Sequence, residues 1–331
     1  MRRLILKDVH NQEVIFPYIG GEEVNTSPTN IHRRYVINFG DRPEDECRQR
    51  WPDLMAIVEA NVRPERLLSA QRSKSAHGLR AGIWWQHYHH ARELYSAIAG
   101  MDRVLVVNCG ATQHLGFVFL PARMVFANSL AVFAESTYAA FATLQARPHE
   151  IWARFFGSSL EDRLRYTPSD CFETFPFPLG WETRADLEIA GNAYYEFRAA
   201  LMVSNNDGLT KTYNRFHDPD ERMPEILKLR ELHAAMDRSV LDAYGWNDIS
   251  TDCEFLLDYE IDEAEWGSKK KPYRLRWPDE VGDEVLARLL ELNADLAREE
   301  ARSGAAAPSK RLGKVNTAHL IEEADTGRLF S

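Results

Sequence analysis

Four polar side chains crowd one short stretch of this 331-residue chain: Asn108, Thr112, Gln113 and His114 lie between the apolar runs 104–107 and 117–120. Amide, hydroxyl and imidazole groups at a loop tip can pair with base edges of a nucleic acid, where Asn and Gln suit adenine. The same residues also make an ordinary polar hairpin tip, and residue types alone leave both readings open. A second group is cationic. Residues 66–92 hold Arg66, Arg72, Lys74, Arg80 and Arg92 and no acidic side chain. Arg72, Lys74 and Arg80 suit phosphate contact, which sets a protein's register on a duplex; a plain solvated face is the alternative. Lys211 and Arg215 carry the same pair of readings. Glu161, Arg163 and Arg165 alternate as strand residues do, and either reach a nucleic acid or brace a domain border through ion pairs.

Other chemistry is missing from the sequence. Adenine-N6 methyl transfer needs an Asn/Asp-Pro-Pro-aromatic motif to grip a flipped base, and the chain has no Pro-Pro pair. Gly20-Gly21 is followed by Glu22-Glu23, which repel an anion rather than cradle one. Pro219-Asp220-Glu221 has no following ExK of the kind a metal-dependent nuclease uses. No Walker, HExxH or GxSxG motif occurs. In the cluster His87, His89 and His90, a helix would put His87 and His90 on one face and turn His89 away. That favours a surface or DNA-facing group over a zinc site. Cys47, Cys109, Cys171 and Cys253 are far apart, with neither zinc-ribbon nor disulfide spacing.

The net charge of −10 opposes nucleic acid, but the charge is uneven. Residues 1–180 hold 20 Lys+Arg against 19 Asp+Glu, and eight of the eleven histidines; the remainder holds 20 against 31. A local cationic face matters more for phosphate contact than the whole-chain balance. There is no apolar run long enough for a membrane span and no signal-peptide pattern, so a cytoplasmic protein without membrane contact is expected.

The elements that must position these residues follow from periodicity and breakers. Residues 12–40 read as loop, then a strand at Tyr35-Val36-Ile37-Asn38-Phe39. Residues 43–70, 84–99 and 138–156 read as helices, and 104–107, 117–120, 124–126 and 130–133 as strands. FPFP at 175–178 ends regular structure. Beyond it, Thr183 and Asp186 suggest a capping box before a helix to about Leu201. Leu229, Leu232, Met236 and Val240, then Val285, Leu289, Leu292 and Leu296, mark two more helices, with loops expected at 205–219 and 260–278. The fold class is α+β: a mixed β-rich domain over 1–180, a mainly helical region over 181–302 and a disordered tail over 303–331.

Two segments carry a family resemblance: IFPYIGGEEVN at 15–25 and FFGSSLEDRLRYTPSDCFETFPFP at 155–178. With RYVINF at 34–39, Trp84-Trp85-Gln86 and RVLVVNCGATQHLGFVFLP at 103–121, they resemble, in order, the target-recognition domain of MmeI-like (type IIL) restriction-modification enzymes. GLTKTYNRFHDPDE at 208–221, LRELHAAMDRSVLDAYGW at 229–246 and CEFLLDYE at 253–260 resemble the helical C-terminal region of the longer members. The resemblance implies a sequence-specific double-stranded-DNA recognition module of an adenine-N6 DNA methyltransferase, within a restriction-modification or phage-defence system. It implies base reading by Asn108, Thr112, Gln113 and His114. Beside it, the local charge offers Arg72, Lys74, Arg80, Lys211 and Arg215 for contact with the DNA backbone. The resemblance implies no catalytic residue, metal or cofactor in this chain; S-adenosylmethionine and the methyltransferase, with or without a nuclease, belong to a partner or missing domain encoded upstream. A fragment carrying the methyltransferase activity name and a stand-alone DNA-binding protein are the alternatives.

Overall fold

The computed structural model describes residues 1–72, 80–87, 91–160, 163–259 and 271–303, with the backbone alone for Arg2, Arg72, Arg80 and residues 158–160. Lys74, His89, His90, Glu161 and all of the expected tail except Ser303 lie outside the described residues.

The chain opens with helix α1 (Arg2–Lys7), strand β1 (Ile15–Ile19), helix α2 (Gly21–Thr26) and strand β2 (Arg34–Ile37). β1 pairs antiparallel with β2. Helices α3 (Glu44–Arg50), α4 (Pro52–Asn61) and α5 (Arg63–Arg72) follow. They bury Val14, Phe39, Trp51, Leu54, Met55 and Trp84 in a small separate core. Residues 15–19, expected as loop, are therefore a strand: Ile15 and Ile19 are the buried ends of the central strand of a small sheet. The helix expected over 84–99 is not continuous. A 3-10 turn spans Arg80–Ile83 and the helix α6 begins only at Arg92, running to Ala97. Burial of Trp84 and the bond from Trp85 Nε1 to the Arg42 carbonyl at 2.9 Å hold residues 84–87 out of a helix.

The central sheet places β3 (Arg103–Asn108) between β4 (Phe117–Pro121) and β6 (Leu130–Phe133), all antiparallel, while β5 (Val125–Phe126) adds parallel to β1. Val104 to Val107 are all buried, so this strand reads as a continuous apolar run rather than an alternating one. Helix α7 (Tyr138–Gln145) covers it; Thr137 caps that helix by accepting from Ala140 N at 3.2 Å. Then come α8 (Arg147–Phe156), the short pair β7 (Ser158–Leu160) and β8 (Arg163–Arg165), and α9 (Pro168–Cys171).

After irregular chain around FPFP, helix α10 (Ala185–Asn205) starts with Arg184 at its N-cap; the Thr183 capping box does not form, because Thr183 ends a preceding 3-10 turn. α10 lies on α7 at close range. A Cβ added at Gly191 would sit 2.2 Å from the Tyr138 carbonyl oxygen, so only glycine permits this approach. The stretch 205–219 is not a loop but holds helix α11 (Leu209–Phe216). Its Leu209, Thr212, Tyr213 and Phe216 are buried at spacing three, one and three, an apolar face diluted in the sequence by Asn, Asp and Gly. Helix α12 (Pro224–Ala243) follows. The expected loop 260–278 contains strand β10 (Tyr273–Arg276), paired antiparallel with β9 (Glu254–Leu257). The last helix, α13 (Asp279–Ser303), buries Val285 and Leu289 against Trp152 and Trp277.

The fold is α+β: of the described residues 55% are helical and 14% are in strands, so the sheets are small and helices supply most of the scaffold. The main core runs from Ile19 and Val24 through β3 and β4 to Leu229, Met236 and Leu275, joining strands of the first half to helices of the second. Among the described residues no helix is long and apolar enough to cross a membrane.

Candidate nucleic-acid interface

The loop between β3 and β4 is pinned at several points by hydrogen bonds and one ring stack. Asn108 ends β3, and its Oδ1 accepts from Gly110 N at 2.9 Å. Its carboxamide packs on the start of α2, where a Cβ at Gly21 would come within 2.5 Å of Oδ1. Asn108 therefore shapes the loop. Thr112 forms a two-way backbone bridge with Leu164 of β8, at 2.9 and 3.0 Å, and its Oγ1 donates to the His114 carbonyl at 2.5 Å. Gln113 is exposed at the tip, while its carbonyl accepts from Arg274 at 2.8 Å and Arg154 at 3.3 Å.

His114 turns toward α11. Its Nε2 hydrogen-bonds Asn214 Oδ1 at 2.8 Å, and its ring stacks on His217 at 5.0 Å between centroids and 19° between planes. Its Nδ1 is buried without a hydrogen-bond partner. Burial, aided by the charge of Arg274, holds the His114 pKa down at about 4, so the imidazole is neutral at pH 7. A neutral ring offers hydrogen bonds rather than charge.

Thr112, Gln113 and His114 line a cavity of about 250 Å³ together with Asn25, Arg163 and Thr210. Three of the four residues expected to read bases thus meet at one concave site; Asn108 stands behind it. The cavity adds Arg163, whose strand alternation is visible in the sequence, and Thr210, whose place on α11 is not. Lys211 follows Thr210 on that helix, 74% exposed and only 3.8 Å from Asp207. Arg215 is different: its Nε meets Glu221 at 2.7 Å and its Nη1 meets Asp207 at 3.8 Å, so two carboxylates balance its charge.

Arg72 ends α5 and Arg80 opens the 3-10 turn, and none of the described residues of the basic window 66–92 lines the cavity. Arg92 pairs with Asp41 at 2.7 Å. His87 Nε2 lies 3.1 Å from the Ile37 carbonyl. Among the described residues no group of three or more His, Cys, Asp or Glu side chains is placed to hold a metal ion. At the Gly20-Gly21 turn, Glu23 Oε2 accepts from Gly20 N at 3.1 Å, and Asn108 fills the space beside Gly21.

A polar loop held on a small buried sheet, with basic and hydroxyl side chains around one cavity, has the form of a recognition module. The sequence model described as the MmeI target recognition domain matches residues 1–179, and the chain belongs to that family. A solved structure described as the type IIL restriction-modification enzyme MmeI in complex with DNA shares the fold, with a TM-score of 0.57 at 18% identity. The match covers 90% of this chain and 33% of that one, so this chain spans about a third of the length of the solved enzyme. No curated protein matches the sequence.

Proposed function

We propose that the chain recognises a specific sequence in double-stranded DNA for an adenine-N6 methyltransferase of a restriction-modification or phage-defence system in the cytoplasm. Thr112, Gln113 and His114, with Arg163, meet base edges at the cavity, and Asn108 holds their loop in shape. Lys211, Arg72, Lys74 and Arg80 meet phosphates; Arg215 does so only by leaving its carboxylate partners. Methyl transfer from S-adenosylmethionine falls to a methyltransferase domain or subunit, with or without a nuclease. Residues 1–180 act as the reading unit and residues 181–302 as the helical unit that supports it. One observation carries the reading: the exposed Gln113 tip and Arg163 share one cavity within the segment that matches the recognition-domain family. The solved enzyme of the same fold, described as bound to DNA, supports it further.

The two kinds of contact separate in a salt series. Lys74→Ala and Arg80→Ala should weaken binding to every duplex and reduce the salt slope by roughly one unit per lost phosphate contact. Gln113→Ala should leave the slope alone and cost about 1–3 kcal/mol of preference at one base pair. A Gln113→Ala protein that discriminates every base pair as before contradicts the loop assignment. An unchanged slope in the lysine and arginine variants contradicts the phosphate assignment.

A further inference from the structure

Arg274 is an unusual strand residue. It sits on β10, 160 positions beyond the polar loop, and its side chain is 5% exposed. A buried guanidinium persists only when its donors are matched by acceptors. Here Nε donates to Asp258 Oδ1 at 2.7 Å and Nη2 to Asp258 Oδ2 at 2.8 Å, a two-pronged pair across the β9–β10 hairpin end. Nη1 donates to Glu150 Oε1 on α8 at 3.1 Å. The Nη2 group has a second acceptor, the Gln113 carbonyl at 2.8 Å. Arg154, anchored on the same Glu150 at 3.0 Å, reaches that carbonyl too, at 3.3 Å.

The next residue on the strand acts on the neighbouring loop residue through a histidine of α11's C-cap. Leu275 N donates to His217 Nδ1 at 3.1 Å, and His217 is the ring on which His114 stacks. The strand itself is held from behind. Arg147 donates to the Leu275 carbonyl at 3.2 Å while paired with Asp237, and both lie in the buried core. Two adjacent residues of one C-terminal strand therefore fix the backbone at Gln113 and the ring plane at His114.

We infer that Arg274 is a positioning residue for sequence discrimination: the β9–β10 hairpin, through Arg274 and with help from Arg154, sets the angle at which Gln113 meets a base. The inference rests on the DNA-reading role of the loop. Arg274 touches no base; it acts through the Gln113 carbonyl. Lysine at this position keeps the charge but lacks the planar fork, so it cannot serve Asp258, Glu150 and the Gln113 carbonyl together. Arg154 is 27% exposed, and its loss leaves Glu150 paired with Arg274, so Arg154→Met should fold.

The test uses the full chain and duplexes with a randomised central region, from which the preferred site is selected; binding is then measured on that site and its single-base-pair variants. Gln113→Ala serves as the reference for the base pair that residue reads. Arg274→Lys should lower discrimination at that same base pair by about tenfold, the size of one modest base contact. Arg154→Met should lower it by less. Both should keep the wild-type salt slope and the wild-type affinity for non-specific duplex, which a merely loosened fold would not do. If Arg274→Lys fails to fold, Arg154→Met alone decides. Full discrimination in every folded variant of this pair, with Gln113→Ala impaired, overturns the inference and leaves the DNA-reading proposal standing. Full discrimination in Gln113→Ala itself overturns that proposal instead.

Discussion

At the scale of single residues, the polar stretch 108–114 divides by role. Gln113 is exposed at the cavity, while Asn108 is spent on its own loop and on Gly21. The sequence could not separate them, since both are carboxamides beside apolar strands. The distinction comes from Gly21, 87 positions earlier, whose missing side chain makes room for Asn108. Gly21→Ala should therefore act on the loop from a distance. Its methyl would overlap a held side chain, a change that costs typically about 1–3 kcal/mol in a packed site. Urea unfolding measures this; an unchanged midpoint would show that Asn108 moves aside freely. Arg163 was legible as a strand residue from its alternation with Arg165. Arg274 had no sequence signal, because a buried arginine among charged neighbours reads as a surface residue.

At the scale of elements, apolar runs located β3 and β4 and apolar period located α7, α12 and α13, whose buried positions are mostly Val, Leu, Ile, Phe, Ala or Met. It missed α11 and β10, where polar residues are buried by specific partners. α11 shows the reason well: Thr212 is buried in its helix face with Oγ1 donating to the Gly208 carbonyl at 3.0 Å, so a residue that reads as loop behaves as core. It also missed that residues 84–87 are not helical, which the burial of Trp84 and the Trp85 bond to the Arg42 carbonyl decide. α11 matters because it forms one wall of the cavity and carries Tyr213, which meets Arg198 at 2.8 Å. Phe216→Ala, which empties a fully buried ring site, should cost about 3–5 kcal/mol. The same variant should lower discrimination before it unfolds the chain, because Phe216 stands against His217, the partner of His114. Denaturant unfolding checks the first effect and duplex discrimination the second; a loss under about 1 kcal/mol would mean that the helix is not seated as described.

At the scale of the whole molecule, buried ionisable groups join the halves. Arg147 on α8 meets Asp237 and His233 on α12, with His233 Nδ1 2.9 Å away, and Arg274 on β10 meets Glu150 on α8. Two buried histidines, His149 and His114, give the fold a pH dependence of fixed sign. Burial holds His149 at about 3 and, with Arg274, His114 at about 4, against 6.5 for a free imidazole. Between those values the unfolded chain binds protons that the fold refuses, so stability falls as pH drops from about 6.5. Glu150 adds in the same direction lower down: burial raises its pKa, but Arg154 and Arg274 outweigh that and hold it at about 2, so its contribution is lost as pH falls below 4.5. Urea midpoints should decline steadily from pH 7 to pH 5, and a flat profile would contradict the burial of these rings.

The most direct measurement of the central claim is selection of bound sequences from duplexes with a randomised central region, run in parallel with the full wild-type chain and with Gln113→Ala. The wild type should enrich one short sequence. Gln113→Ala should enrich the same sequence with the preference flattened at a single base pair, since each base-edge contact acts at one position. A wild-type chain that retains DNA with no sequence preference, or a Gln113→Ala chain that selects the identical site at every position, would contradict recognition through this loop.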